Sequence, residues 1–176
     1  MTIKKFLKLQ EVALLLAAFI SPLSALADSD SKLTTIKFVL GTYENIAGKP
    51  ECAPSYFGGN ITGIGTGKMT MHEKSSRLGV ISLIADDCII PLDLTHFTAE
   101  GNLTLTAGIG NNILAHYSVS FVPTDTPLIY KYKNFILQIT GGTGLFAGAT
   151  GSGTVEGLSD TETKLGVVEG SLFISN

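Results

Sequence analysis

The chain has 176 residues, with 12 basic and 15 acidic side chains, a formal charge of −3, two cysteines and no tryptophan. Its basic residues form no patch beyond the first few positions, which excludes the electrostatic footprint of a nucleic-acid binder or of a protein held on an anionic membrane surface. The length suits one domain with a real core.

The first residues carry an address. Lys4, Lys5 and Lys8 precede an uninterrupted apolar run over 12–20, followed by Pro22, Ser24 and then Ala25-Leu26-Ala27 before Asp28. A positive n-region, an apolar h-region and an A-x-A site in that order predict a secretory signal peptide over 1–27, cleaved after Ala27. The apolar run falls short of the roughly 20 residues a membrane helix needs, and no cysteine follows it to carry a lipid. The predicted mature domain, 28–176, keeps 9 basic and 14 acidic residues. It holds no segment able to span a membrane as a helix, so it is expected to be exported, periplasmic or secreted. Its two cysteines, Cys52 and Cys88, are predicted to form a disulfide in that oxidising setting. Such a bridge is worth roughly 3–4 kcal/mol in the chain-entropy model. Two separate buried thiols are the alternative.

Helical periodicity is nearly absent from the mature chain. Short β-branched and aromatic runs alternate with Gly, Pro, Asn and Asp clusters, the pattern of an all-β domain. Residues 33–40 read as a first strand, with Ile36, Phe38 and Leu40 on one face. Residues 41–60 read as a long irregular segment tied down by Cys52. A glycine-laced strand follows over 61–71. There Gly63, Gly65 and Gly67 share one face, which suggests bending or close packing over that face. Further strands are expected over 78–85 and 88–97, with Asp86-Asp87 as a hairpin turn between them; an ion-binding or acid pair beside Cys88 is the alternative for these two carboxylates. Glu100-Gly101 is read as a turn into 102–107, where Leu103, Leu105 and Ala107 alternate with Asn102, Thr104 and Thr106. Residues 108–112 turn, and 113–122 alternate again. A loop over 123–127 leads to a long strand, 128–140, with an interruption near Lys133-Asn134. After the glycine-rich stretch come a short strand over 153–158, a turn at 160–163 and a closing strand over 165–175. Eight or nine strands with short connections predict an antiparallel up-and-down meander closed into an eight-stranded β-barrel, since closure removes exposed edges. A two-sheet β-sandwich is the alternative.

The segment from Phe135 to Gly153 is the most distinctive. An apolar strand runs into Gly141-Gly142-Thr143-Gly144, then Leu145-Phe146-Ala147-Gly148-Ala149-Thr150-Gly151. The glycines superficially match a dinucleotide fingerprint, but that fingerprint needs a helix opening directly after them to hold the pyrophosphate. The sequence 150–155 cannot start one, and no Gly-Lys-Ser/Thr closes a P-loop. A sharp strand-to-strand connection, pinned to the core by Leu145 and Phe146, fits better.

This stretch resembles the motif of plant allene oxide cyclases and dirigent proteins: an apolar strand, Gly-Gly-(Thr/Ala)-Gly, an apolar residue, Phe, two variable residues, a small residue, one more, and Gly. The resemblance extends backward through Ala115-His116-Tyr117-Ser118-Val119-Ser120-Phe121 and 128–135, and forward to the closing strand, over about 112–175 in all. It implies an eight-stranded, calycin-like barrel with an apolar cavity, often assembled as dimers or trimers. In those families the barrel binds a small hydrophobic molecule or reactive intermediate and controls its stereochemistry. The resemblance gives structural roles to Gly141, Gly142, Gly144, Phe146, Ala149 and Gly151, and a cavity-facing role to Tyr117. The cyclases carry an Asn-Glu-Arg-Asp run early in the barrel. Thr42-Tyr43-Glu44-Asn45 is its nearest counterpart here, without the arginine, which leaves Glu44 as the carboxylate to examine beside Tyr117.

Other chemistries find less support. His72, His96 and His116 are scattered, with no two at ligand spacing on one element, so no metal site is expected. No G-x-S-x-G elbow marks a hydrolase, and no cofactor is expected. Tyr117, Val119 and Phe121 share an apolar face that either walls a ligand cavity or packs as core, because a barrel of this size can be filled by side chains. The expected function is binding of an apolar small molecule or lipid inside the barrel. A cyclase- or isomerase-like enzyme and a filled barrel acting as an interaction module are the alternatives.

Overall fold

The computed structural model describes residues 33–72 and 74–175. The predicted signal segment, 1–27, and the mature start at Asp28 lie outside the described residues. Eight strands follow in order: β1 (Thr34–Gly48), β2 (Phe57–Met71), β3 (Lys74–Pro91), β4 (Phe97–Ala107), β5 (Asn112–Pro123), β6 (Ile129–Gly142), β7 (Thr150–Asp160) and β8 (Leu165–Ser175). Each pairs antiparallel with the next, and β8 returns to β1, so the sheet closes into the predicted up-and-down barrel rather than a sandwich. Short 3₁₀ turns at Pro50–Cys52 and Gly144–Phe146 are the only helical pieces among the described residues.

Period-two patterning sets which side chains enter the barrel. On β1, Ile36, Phe38 and Leu40 point inward as expected, and the same parity continues through Thr42 and Glu44, which are also buried. The irregular segment expected over 41–60 is therefore strand as far as Gly48, and the chain turns only at Pro50. Asp86-Asp87 and Glu100-Gly101 do not turn either. They face each other across a continuous β3–β4 ladder, with Asp86 opposite Asn102 and Asp87 opposite Gly101. The strand expected to begin at Cys88 is thus the end of β3, and the true β3–β4 turn lies between Pro91 and Phe97. The expected break in β6 is present: Asn134 has φ +51°, and the β6–β7 register shifts between Lys131 and Leu137.

Inward-facing glycines shape the barrel on β2. A Cβ on Gly65 would collide with the Val39 carbonyl, and one on Gly67 with the Ile81 side chain. The wall there closes in over a face that carries no side chains. Leu40, Leu137 and Leu172 fill the centre at 1 % exposure or less. The void that remains beside them is only ≈ 60 Å³, so the middle of the barrel is nearly solid.

The two ends differ. The β6–β7 connection covers one end, with Phe146 buried beneath it as a plug at 2 % exposure. Leu145 does not share that role, since it is 64 % exposed. Gly142 and Gly144 allow the close approach: added Cβ atoms would strike the Asn112 carbonyl at 2.6 Å and the Gly110 carbonyl at 2.7 Å, respectively. At the opposite end the β1–β2, β3–β4, β5–β6 and β7–β8 connections surround an open mouth. There the Cys52–Cys88 disulfide ties the Pro50–Cys52 turn to β3. No helix among the described residues is long and apolar enough to cross a membrane.

Candidate functional site

The mouth holds a cavity of ≈ 480 Å³ lined mainly by Ile46, Phe57, Ile89, Pro91, Phe97, Phe121 and Tyr130, with Glu44 and Ser159 among them. Phe97 and Tyr130 meet edge to face with centroids 5.9 Å apart, and Phe121 meets Tyr132 in the same way at 5.1 Å. Glu44 also lines the small interior void, along with Tyr117, Tyr132 and Phe135. It therefore stands on the boundary between the mouth and the packed barrel.

Beside it lies a second carboxylate, Asp87, in a segment expected to turn. Asp87 is 2 % exposed. Its Oδ1 accepts the Gly59 amide at 2.7 Å and its Oδ2 accepts the Tyr117 hydroxyl at 2.6 Å. Tyr117 and Asp87 both pair with Gly101 from opposite sides. The missing side chain between them opens the path for their bond: a Cβ on Gly101 would sit 2.6 Å from the Asp87 Cβ. Gly59 plays a like part for the acidic pair. A Cβ there would lie 2.8 Å from Asp87 Oδ1 and 3.1 Å from Glu44 Oε1, so both carboxylates occupy the space this glycine vacates. Lys49 is buried beside them. Its Nζ donates to the Gly59 carbonyl at 2.9 Å and the Asp87 carbonyl at 3.2 Å, and pairs with Asp86 Oδ2 at 2.7 Å.

The two acids are not equivalent. Asp87 has two good donors and the Lys49 charge near it, all of which favour its ionised form against the burial that raises its pKa. Glu44 accepts only a long 3.4 Å bond from Ser159 Oγ among the described hydrogen bonds. Burial, and then repulsion from Asp87, push its pKa from 4.5 to about 7. Two close carboxylates with unequal partners divide the charge unequally, so the anion settles on Asp87 and the proton on Glu44. Tyr117 and Tyr132 are held neutral, with pKa values raised first by burial and then by the neighbouring carboxylates. Tyr117 thus remains a donor to Asp87. The arrangement offers a proton at the floor of an apolar cavity and can take one back as the pH passes 7.

The residues expected as a cavity wall separate by depth. Phe121 lines the mouth. Tyr117 lies deeper, 4 % exposed, with its ring stacked on Phe135 at 5.4 Å. Val119 is buried in the core cluster. Gly141, Gly142, Gly144, Phe146, Ala149 and Gly151 all sit at the covered end, away from the acids. His116 meets Glu100 on the outer surface at 3.0 Å and His96 meets Asp93 at 2.9 Å. No group of three His, Cys, Asp or Glu side chains among the described residues is placed to hold a metal.

No family model and no curated protein matches the chain. Among solved structures, that of the pterocarpan synthase dirigent protein GePTS1 aligns at a TM-score of 0.45 and 17% identity, over 89% of this chain and 95% of that one.

Asp87 was legible in one respect. Ile81, Leu83, Ala85, Asp87 and Ile89 keep a single parity with no Gly or Pro between them, the signal of an unbroken strand that carries its acid inward.

Proposed function

We propose that the protein is an exported member of the cyclase- and dirigent-like barrels that binds one small apolar molecule in its mouth. The observation that carries this is the ≈ 480 Å³ aromatic-walled cavity ending on the buried Glu44 carboxyl. Ligand pockets have this size and this mixture of apolar walls with few polar groups. A filled barrel working only through its loops does not account for such a cavity. Support for export comes from the order of charge, apolar run and Ala25-Leu26-Ala27, together with the Cys52–Cys88 disulfide. Support for the family comes from the Gly141–Gly151 motif on a closed eight-stranded barrel. The outer faces of β1, β2, β3 and β8 expose Val39, Ile64, Val80, Ile84 and Val167. That surface suits self-association, which light scattering will read as a mass above that of one chain.

Native mass spectrometry of protein purified from its own host tests the reading. A reproducible hydrophobic adduct, lost when Phe97 and Phe121 are replaced by charged residues, is the expected result. Bare mass throughout would refute it.

A second reading, a cyclase- or isomerase-like catalyst, is favoured by Glu44 itself. A carboxyl with a pKa of about 7 is suited to both giving and accepting a proton at neutral pH. In that case Glu44→Gln will retain the adduct but no longer convert it, and equal conversion by both proteins would remove Glu44 from the chemistry.

A further inference from the structure

We propose that the mouth selects organic cations: an apolar amine whose ammonium sits against Glu44 while its aryl or alkyl body lies among Phe57, Phe97, Phe121 and Tyr130. This rests on the reading of the mouth as a ligand site. Three observations point the same way. First, Glu44 is 8 % exposed, and among the described hydrogen bonds its carboxylate has only the 3.4 Å contact from Ser159. It is a buried acid in want of a strong donor. Second, the cavity lining contains no lysine, arginine or histidine. The nearest buried cation, Lys49, is occupied by two carbonyls and Asp86. Lys164 shares a side pocket of ≈ 70 Å³ with Glu44 and Asp160, but its Nζ is turned to Asn45 Oδ1, 3.4 Å away. Third, the walls are aromatic, and aromatic faces attract a cation most strongly when both are out of water.

Asp87 on β3, Tyr117 on β5, Tyr132 on β6 and Ser159 on β7 face Glu44, and Asp160, Thr161 and Lys164 share its side pocket. Lys164 brings the one positive charge among them, and it makes no ion pair with Glu44 among the described contacts. An ammonium would supply the missing counter-ion and form a charge-assisted hydrogen bond, about twice as strong as a neutral one. A neutral alcohol could only exchange a proton-sharing bond with Glu44. A carboxylate would add a third negative charge to the Glu44–Asp87 pair and is disfavoured.

The test uses three probes of one shape: phenylbutylamine, phenylbutanol and phenylbutyrate, titrated calorimetrically into the intact, oxidised protein. Amine binding needs Glu44 ionised, so its affinity should rise about tenfold per pH unit on approaching pH 7 and then level off. Phenylbutanol should bind more weakly than the amine at about pH 8, and phenylbutyrate most weakly of the three. Glu44→Gln should flatten the pH dependence and lower amine affinity at least about tenfold at that pH, while leaving the alcohol little changed. Alcohol or carboxylate binding in the mouth at least as tightly as the amine above pH 7 would overturn the cation selectivity and leave the apolar site standing. So would an amine pH profile unchanged by Glu44→Gln. Failure of all three probes to bind at any pH would overturn both the selectivity and the ligand site beneath it.

Discussion

Replacing Glu44 with glutamine should make the protein more stable at alkaline pH, against the usual direction for a buried substitution. The folded pKa of Glu44 is raised from 4.5 to about 7, chiefly by burial. A carboxyl raised in this way favours the fold fully below its unfolded pKa, and the advantage is lost as pH climbs through the folded value. Each pH unit of separation is worth about 1.4 kcal/mol, so the loss between pH 4.5 and pH 7 is on the order of 3 kcal/mol. Glutamine has nearly the same volume and no charge to desolvate, so the variant should escape that loss. Urea unfolding followed by tyrosine fluorescence, with the disulfide intact, is the assay. The two proteins should agree within about 1 kcal/mol at about pH 5, and the variant should be ahead by roughly 2–3 kcal/mol at about pH 8. Asp87 is raised in the same sense, so the variant should keep a shallower slope of the same sign. Parallel pH profiles for the two proteins would refute the placement of the proton on Glu44.

The adjacent glycines of the β6–β7 connection should behave differently. Gly142→Ala drives its Cβ to 2.6 Å from the Asn112 carbonyl and should cost about 1–3 kcal/mol, while Gly141→Ala meets nothing within 4 Å and should stay within about 0.5 kcal/mol, both read by thermal melting. Equal effects would contradict the packing of that turn. Tyr117→Phe removes the 2.6 Å donor to Asp87 and should cost about 1–3 kcal/mol in urea unfolding at about pH 8. The cost should shrink toward acid pH, where Asp87 takes up its proton. A loss that is the same at both pH values would mean the hydroxyl does not stabilise the carboxylate.

Much of the architecture follows from patterns visible in the sequence. Leu103, Leu105 and Ala107, or Ile36, Phe38 and Leu40, alternate strictly, and burying one face of such strands leaves closure as the way to remove the edges. The cysteine pair and the Phe146 plug were readable for similar local reasons. Asp87 was legible only through the parity of Ile81 to Ile89, and a competing local signal masked it, because adjacent aspartates favour turns in isolation. What overrides that preference is non-local: Gly59 and Gly101, distant in sequence, leave the space, while Tyr117 and the Gly59 amide supply the bonds. Glu44 was reached through family resemblance. The parity of Thr42 and Glu44 with Leu40 would have reached it independently, had residues 41–48 been read as strand. The mouth itself depends on which ends of eight strands gather together, and no short window of sequence contains that.

The most direct test of the account is an amide chemical-shift titration of the isotopically labelled protein with phenylbutylamine at about pH 8, where Glu44 is ionised. The account predicts saturable shifts at Ile46, Phe57, Ile89, Phe97 and Phe121 around the mouth, and none over Gly142 to Gly151 at the covered end. Shifts centred on the covered end or on the outer wall, or no shifts at all, would contradict it.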